Sequence, residues 1–355
     1  MIDCSSQLKK FHDDHVRLSR SEQKKLASLR DTNLKRLTSG LKKLSEKDGV
    51  EHPSFKEDIN QGSYAMHTLN QHSENDYDID IGIVFGTEDL PSDPLEARKR
   101  VAAAMKESGD SFKKEPEART NAVTMWYADG CHVDFAVYRE VVENGLSHYE
   151  HASTEWRRRD PLEMNKWFKD KVDSLSPKKA NGATVEEGQM RRIVRLVKFF
   201  TKSRSSWNLP GGMIISTLVA ECYSAESSRD DISLVKTLIT MASRLKFNHE
   251  VDNPVEPGAK LTGKDKFRTQ VAQLSEKLGD RLSDLEVLDE PSCDEPTALL
   301  AWQKFFNHPY WTDASSSQKS SGTKGGSASG VGADILDDLR KAASESKTAT
   351  KPWTS

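Results

Sequence analysis

An alternating run of acidic and apolar residues constrains the fold of this chain more than any other feature. From Tyr77 to Phe85 the sequence reads Tyr-Asp-Ile-Asp-Ile-Gly-Ile-Val-Phe, the pattern of a strand with one apolar face. Successive side chains on a strand point to opposite sides, so Asp78 and Asp80 project together while the isoleucines project towards a core. Two carboxylates this close repel each other unless a cation lies between them, and Mg²⁺ favours carboxylates together with substrate phosphates.

A second alternating segment, Cys131 to Tyr138, supplies a third acid. Its apolar face consists of Val133, Phe135 and Val137. Asp134 lies on the opposite face and joins Asp78 and Asp80 if the two strands are neighbours. Three carboxylates can hold two Mg²⁺ ions, which stabilise the attacking and leaving oxygens of an in-line displacement at phosphorus. Asp134 can also help to remove the proton from the attacking hydroxyl.

A small turn precedes the first strand. It reads Gln61-Gly62-Ser63, and the glycine would allow the backbone to approach a ligand closely. Ser63 by itself fits an ordinary turn residue. Its position before the two acids favours a contact with nucleotide phosphates.

Taken in order, these motifs resemble the polymerase-beta-like nucleotidyltransferases and, within them, the cGAS/DncV-like family (CD-NTases). The resemblance covers roughly residues 55 to 310. Its segments are Gln61 to Tyr64 with Thr68-Leu69-Asn70, Tyr77 to Asp80, Val133 to Tyr138, Arg159-Asp160-Pro161 with Trp167-Phe168, Arg191 to Phe200, and Pro210-Gly211-Gly212. It implies an α+β fold, in which a core sheet and a helical second lobe enclose an active site in the cleft between them.

The resemblance also implies roles for individual residues. The catalytic and metal-binding residues would be Asp78, Asp80 and Asp134. The nucleotide-binding residues would be Gln61, Gly62, Ser63, Lys198 and Ser216. Lys198 lies in a predicted helix, Met190 to Lys202, where a lysine can also extend to solvent. Ser216 follows glycines at positions where relatives often carry serines.

The activity implied by the resemblance is synthesis of a cyclic di- or trinucleotide, such as cyclic GMP-AMP, from ATP and other NTPs, with two Mg²⁺ ions or Mn²⁺ in their place. In that family the product activates an effector protein in bacterial antiphage (CBASS) signalling, and regulatory partner proteins occur. Two alternatives stay open: an RNA-tailing or tRNA nucleotidyltransferase with the same acids, and a catalytically weak nucleotide or nucleic-acid sensor.

The composition of the chain indicates which kinds of molecule it is expected to bind and where in the cell it is expected to lie. The 355 residues carry a net charge of −3 and are 30% charged, which does not favour a surface for long nucleic acid. The sequence has no apolar stretch of membrane-spanning length and no signal peptide at its start. Four cysteines without paired spacing are typical of reduced thiols, so we expect a cytoplasmic protein. His67, His72 and His132 lack metal-ligand spacing, although His132 shares a strand face with Asp134.

Four regions are predicted along the chain. Residues 1–50 form amphipathic helices that pack on the body, residues 51–150 the catalytic core, residues 151–312 the helical lobe, and residues 313–355 a Ser/Gly-rich tail. The apolar stripe of the first region consists of Leu26, Leu29, Leu34, Leu37, Leu41 and Leu44.

Single elements are predicted within these regions. In the catalytic core we predict a helix from Pro94 to Glu107 and a strand or hairpin over 113–128. An aromatic cluster at 302–311 closes a core, the stretch from Ser176 to Gly188 is a loop, and Asp334 to Ser344 forms a short helical segment.

Overall fold

The alternating segments form the centre of a single sheet. The computed structural model describes residues 1–71, 77–109, 111–178 and 188–312, and the strands are named here in chain order. They are β1 (Glu57–Asn60), β2 (Asp78–Gly86), β3 (Lys114–Ala118), β4 (Val123–Trp126), β5 (His132–Glu143), β6 (Leu146–Ala152) and β7 (Trp156–Arg158). The spatial order is β1-β2-β5-β4-β3, and β6 pairs with both β5 and β7. Strands β2 and β5 are parallel, whereas the other pairs are antiparallel.

The apolar faces of β2 and β5 are buried as predicted. Ile79, Ile81 and Ile83 are fully inaccessible to solvent, and so are Val133, Phe135 and Val137. Because side chains alternate along a strand, this burial forces the acids of both strands onto the opposite face. The predicted hairpin over 113–128 is confirmed by the antiparallel pairing of β3 with β4.

The described chain also contains helices, which are named here in chain order. They are α1 (Ser5–Phe11), α2 (Arg20–Asp48), α3 (Gly62–Ala65), α4 (Pro94–Glu107), α5 (Glu163–Leu175), α6 (Gln189–Lys202), α7 (Gly212–Cys222), α8 (Asp230–Phe247), α9 (Asp265–Leu282) and α10 (Glu295–Phe306). A π-helical turn covers His12–Val16, and 3-10 turns cover Thr87–Asp89 and Ser283–Asp289. The bounds of α4 match the prediction, since Asp93 caps the helix with a 2.9 Å hydrogen bond from Glu96 N and Pro94 begins it.

The leucine stripe belongs to one helix of 29 residues, α2. Leu26, Leu37 and Leu41 are buried in the core beneath the sheet, and Leu29 and Leu34 pack at its edge. The helix begins after Ser19, whose hydroxyl accepts a hydrogen bond from Glu22 N, and it ends at Gly49 with a φ of +72°. These leucines of α2 therefore contribute to the same core as the apolar faces of β2 and β5.

By internal contacts the chain divides into two units. One holds residues 3–282, and the other holds residues 1–2 with the chain from Ser283 onwards. In the second unit the rings of Trp302, Phe306 and Trp311 stack at centroid distances of 5.7–5.9 Å. The predicted tail from residue 313, with its short helical segment, and most of the predicted loop over 176–188 lie outside the described residues. Among the helices that the structure describes, none is long and apolar enough to cross a membrane.

Candidate active site

The register between β2 and β5 brings the three predicted acids together. In this parallel pair Asp80 lies directly opposite Asp134, and Asp78 lies opposite His132. All four residues are on the face of the sheet that turns away from the buried isoleucines. Two strands that are distant in the sequence thus present a cluster of three carboxylates and one imidazole.

Asp80 occupies the most crowded position of the cluster. Gly62, which has a φ of +59°, lies against it so closely that a Cβ at position 62 would come 1.9 Å from Asp80 Oδ2. Burial, and then the negative charges of Asp78 and Asp134, raise the pKa of Asp80 to about 7. Three carboxylates held in this way repel one another, and a cation among them would relieve the repulsion.

Unsatisfied polar atoms in the site fit a divalent ion. Asp134 Oδ1 has no hydrogen-bond partner among the described residues, and neither has the hydroxyl of Thr124. Thr124 is fully buried and lies opposite Asp134 on β4. One donor atom from each of Asp78, His132 and Asp134 lies within 4.8 Å of the other two. A set dominated by carboxylate oxygens matches the ligand preference of Mg²⁺ and Mn²⁺. The residues therefore fit the metal that the sequence predicts.

A partly buried lysine lies beside the acids. Lys198 of α6 donates 2.8 Å hydrogen bonds from Nζ to Ser63 Oγ and to the carbonyl oxygen of Thr68. Burial, and then the charge of Arg195, lower the pKa of Lys198 to about 8, while Asp80 and Asp78 act in the opposite direction. Ser63 and Lys198, both predicted to contact nucleotide, thus lie within hydrogen-bond distance of each other.

Helix α6 also supports the turn that carries Ser63. Arg191 donates from Nε to the carbonyl oxygen of Met66 at 3.0 Å, and Arg195 donates from Nε to that of His67 at 2.9 Å. The side chain of Asn70 returns a 2.9 Å hydrogen bond to the carbonyl oxygen of Arg195. Residues 191, 195 and 198 follow the three-to-four-residue spacing of one helix face, so a single face of α6 fixes the turn.

Two predicted nucleotide contacts have a different environment. The hydroxyl of Ser216 donates a 2.8 Å hydrogen bond to the Gly212 carbonyl oxygen within α7, and the residue is 2% exposed. It is Gly212 that lies beside the lysine and serine, since a Cβ there would be 3.2 Å from Lys198 Nζ and 3.4 Å from Ser63 Oγ. Gln61 directs its amide to the Tyr138 hydroxyl and the carbonyl oxygen of Pro161. In this structure both side chains hold the framework of the site.

His132 is the member of the cluster that sequence reasoning left without a role. Its Nε2 lies 3.4 Å from Asp78 Oδ1. The sequence does place His132 on the face that carries Asp134, but only the pairing of β5 with β2 brings a second strand's carboxylate next to it. A search for ligand spacing within one segment cannot detect a site whose residues come from two distant strands.

A family model agrees with this geometry. Residues 56–138 match the family described as cyclic GMP-AMP synthase DncV-like, nucleotidyltransferase domain. The matched stretch runs from β1 through the acids of β2 to the third acid on β5, so it contains all three carboxylates of the cluster.

Solved structures share the fold over nearly their whole length. Vibrio cholerae DncV with nonhydrolyzable GTP aligns with a TM-score of 0.63 at 14% identity, covering 86% of this chain and 96% of that one. Bradyrhizobium diazoefficiens CdnG with GTP aligns at 0.60 and 15%, covering 89% and 98%. Escherichia coli MS115-1 CdnC with ATP aligns at 0.58 and 15%, covering 87% and 99%. These matches confirm the predicted α+β fold.

Proposed function

We propose that this chain, whose residues 56–138 match the nucleotidyltransferase domain of the DncV-like family, joins ribonucleoside triphosphates into a cyclic oligonucleotide. The observation that carries this proposal is the pairing of Asp80 with Asp134 beside the Gly62-Ser63 turn and Lys198. Acids and a partly buried lysine at one turn can act on different phosphates of one nucleoside triphosphate.

The proposed reaction is a displacement at phosphorus. A ribose hydroxyl oxygen of one nucleotide bonds to the α-phosphorus of another, the bond to the bridging oxygen breaks, and pyrophosphate leaves. Asp78, Asp80 and Asp134 would hold two Mg²⁺ ions, for which Mn²⁺ can substitute. When bound, such ions activate the attacking hydroxyl and neutralise charge on the leaving group. Asp134 helps to accept the hydroxyl proton.

The residues at the turn act on the triphosphate. Lys198 supplies a point charge to the phosphates, and Ser63, which now accepts a hydrogen bond from Lys198, can donate its own proton to a phosphate oxygen. Gly62 keeps the backbone close to Asp80. A second round of the same displacement, with the acceptor and donor ends of one linear product, closes the ring, because holding both ends in one site supplies much of the acceleration.

We further propose a di- or trinucleotide product, such as cyclic GMP-AMP, that activates an effector protein in bacterial antiphage signalling within the cytoplasm. Support for nucleotide substrates comes from the neighbours, since DncV and CdnG were solved with GTP or its analogue and CdnC with ATP. The proposal also includes regulatory partner proteins. It further includes nucleotide contacts from Gln61 and Ser216.

The test is synthesis from labelled NTPs with Mg²⁺ or Mn²⁺, followed by phosphatase treatment and mass spectrometry. A phosphatase-resistant small product without added RNA is expected. The double variant Asp78→Asn with Asp80→Asn should lose this product and stay folded, whereas Asp58→Asn, an exposed acid on β1, should retain it. Label found only on added RNA would establish the tailing alternative, and absence of all transfer would favour the sensor.

A further inference from the structure

The fourth residue of the acidic cluster carries a further inference. Four side chains lie at the corners of a small quadrilateral: Asp78 and Asp80 on β2, and His132 and Asp134 on β5. The two residues of each strand are two positions apart, and the strands pair in register. Three corners are carboxylates and one is an imidazole. This inference rests on the metal site of the proposed function and concerns its selectivity.

The distances within the set suit ligands of one ion. Oxygen ligands at the ~2.1 Å distance of octahedral Mg²⁺ lie roughly 3.0 Å apart when adjacent and roughly 4.2 Å apart when opposite. His132 Nε2 lies 3.4 Å from Asp78 Oδ1, and one donor atom of Asp134 completes a set within 4.8 Å. An N–H···O hydrogen bond is usually shorter, at about 2.9–3.0 Å. The 3.4 Å separation is longer than such a hydrogen bond and lies between the adjacent and the opposite spacings of ligands on one ion.

We propose that His132 Nε2 is a direct ligand of one of the two divalent ions, together with Asp78 and Asp134, and that it makes this position selective for transition-metal ions over Mg²⁺. Mg²⁺ demands oxygen ligands, whereas imidazole nitrogen favours ions that lie further along the first transition series. The other ion would then be held by carboxylate oxygens alone. The two positions of the site consequently differ in the metal that they prefer.

Mn²⁺ alone is the probe, added to nucleotide-free wild-type protein. Pulsed electron paramagnetic resonance of bound Mn²⁺ detects modulation from a directly coordinated ¹⁴N nucleus. We expect imidazole ¹⁴N modulation from the wild-type protein. Bound Mn²⁺ without it would overturn the proposal, and this measurement needs no variant that could fail to fold.

His132→Gln tests the same assignment by affinity, since the glutamine amide can place an oxygen near the position of Nε2 and removes the imidazole nitrogen. We expect Kd for Mn²⁺ to rise by at least about tenfold, Kd for Mg²⁺ to change much less, and the ¹⁴N modulation to disappear. The matched control is His148→Gln on β6, where Nε2 of the histidine lies 3.8 Å from a carboxylate oxygen of Glu150. The control should leave all three readouts unchanged.

Equal losses of Mn²⁺ and Mg²⁺ affinity in His132→Gln, or persistent imidazole ¹⁴N modulation, would overturn the ligand assignment and leave His132 as a residue that only orients Asp78. This outcome differs from failure of the proposed function. A wild-type protein that makes a cyclic product and shows no ¹⁴N modulation contradicts the inference alone. A protein that binds Mn²⁺ through nitrogen and makes no product contradicts the proposed function alone.

Discussion

Gly62 has a φ of +59°, and its Cα faces the carboxylate of Asp80. We predict that Gly62→Ala abolishes turnover and destabilises the protein, because the new Cβ would have to displace Asp80 and the backbone would be strained as well. Gly49→Ala is the matched control. Gly49 has a φ of +72° with nothing within 4 Å of its missing Cβ, so the control carries the strain, about 1–2 kcal/mol, without the clash.

The measurement for this pair is product formation together with urea denaturation. Gly49→Ala should be less stable than the wild type and fully active. If Gly62→Ala and Gly49→Ala lost equal stability and both stayed active, the close approach of the turn to Asp80 would have no importance for the site.

Lys198 should make nucleotide affinity depend on pH. Burial lowers its pKa to about 8, so the ammonium is present below that pH and is lost above it. Affinity for a nonhydrolysable ATP analogue is therefore expected to fall as the pH rises through about 8.

Two lysine variants test this expectation. Lys198→Ala should bind the analogue more weakly at pH 7 and show no such fall. Lys202→Ala, at an exposed position one turn further along α6, should follow the wild type. The Kd measured by calorimetry from pH 6.5 to 9 is the readout, and a parallel pH dependence in Lys198→Ala would contradict the assignment.

At the scale of elements, α2 and α4 cross with almost no space between them. A Cβ at Gly40 of α2 would lie 1.8 Å from the carbonyl oxygen of Ala104 in α4. We predict that Gly40→Ala destabilises the protein by about 1–3 kcal/mol, because it separates two well-packed helices. The same substitution at Gly279 of α9, where nothing lies within 4 Å, should stabilise it by about 0.5–1 kcal/mol, since alanine is the better helix former.

Chemical denaturation of both variants shows whether the two substitutions change the free energy of unfolding in opposite directions. Loss of stability in both would show that glycine has a general role in these helices, and loss in neither would show that the crossing can relax without cost.

Sequence reasoning succeeded for elements whose signals are local. The initial proline of α4 and the apolar spacing of α2 and α6 are contained in single segments, and the structure has helices at these places. The position of Gly212 beside Lys198 and the contact of His132 with Asp78 depend on how distant segments pack. The role of Gly212 could not be predicted from a motif, because what matters is the space that its missing side chain leaves for Lys198.

At the scale of the whole molecule, a buried carboxylate joins the start of the chain to α8. Asp231 is fully buried and accepts hydrogen bonds from Cys4 N at 2.9 Å and from Ser5 Oγ at 2.8 Å, and it forms a 2.8 Å ion pair with Arg229. We predict that Asp231→Ala lowers the free energy of unfolding by about 2–4 kcal/mol, because it leaves buried donors without an acceptor.

Denaturation midpoints of Asp231→Ala and of Asp170→Ala, an exposed acid on α5, provide the comparison. The exposed variant should unfold with the wild type. Unchanged stability in Asp231→Ala would mean that the first residues of the chain detach from α8 without cost.

The sheet order has a consequence for synthesis of the protein on the ribosome. Strand β5 inserts between β2 and β4, although it leaves the ribosome after both of them. A nascent chain that ends at β4 carries Asp78 and Asp80 but lacks the strand that supplies Asp134 and His132 and completes the core. With β5 the three carboxylates come together, whereas Lys198 of α6 joins them only later in synthesis, so the candidate site is completed in two steps.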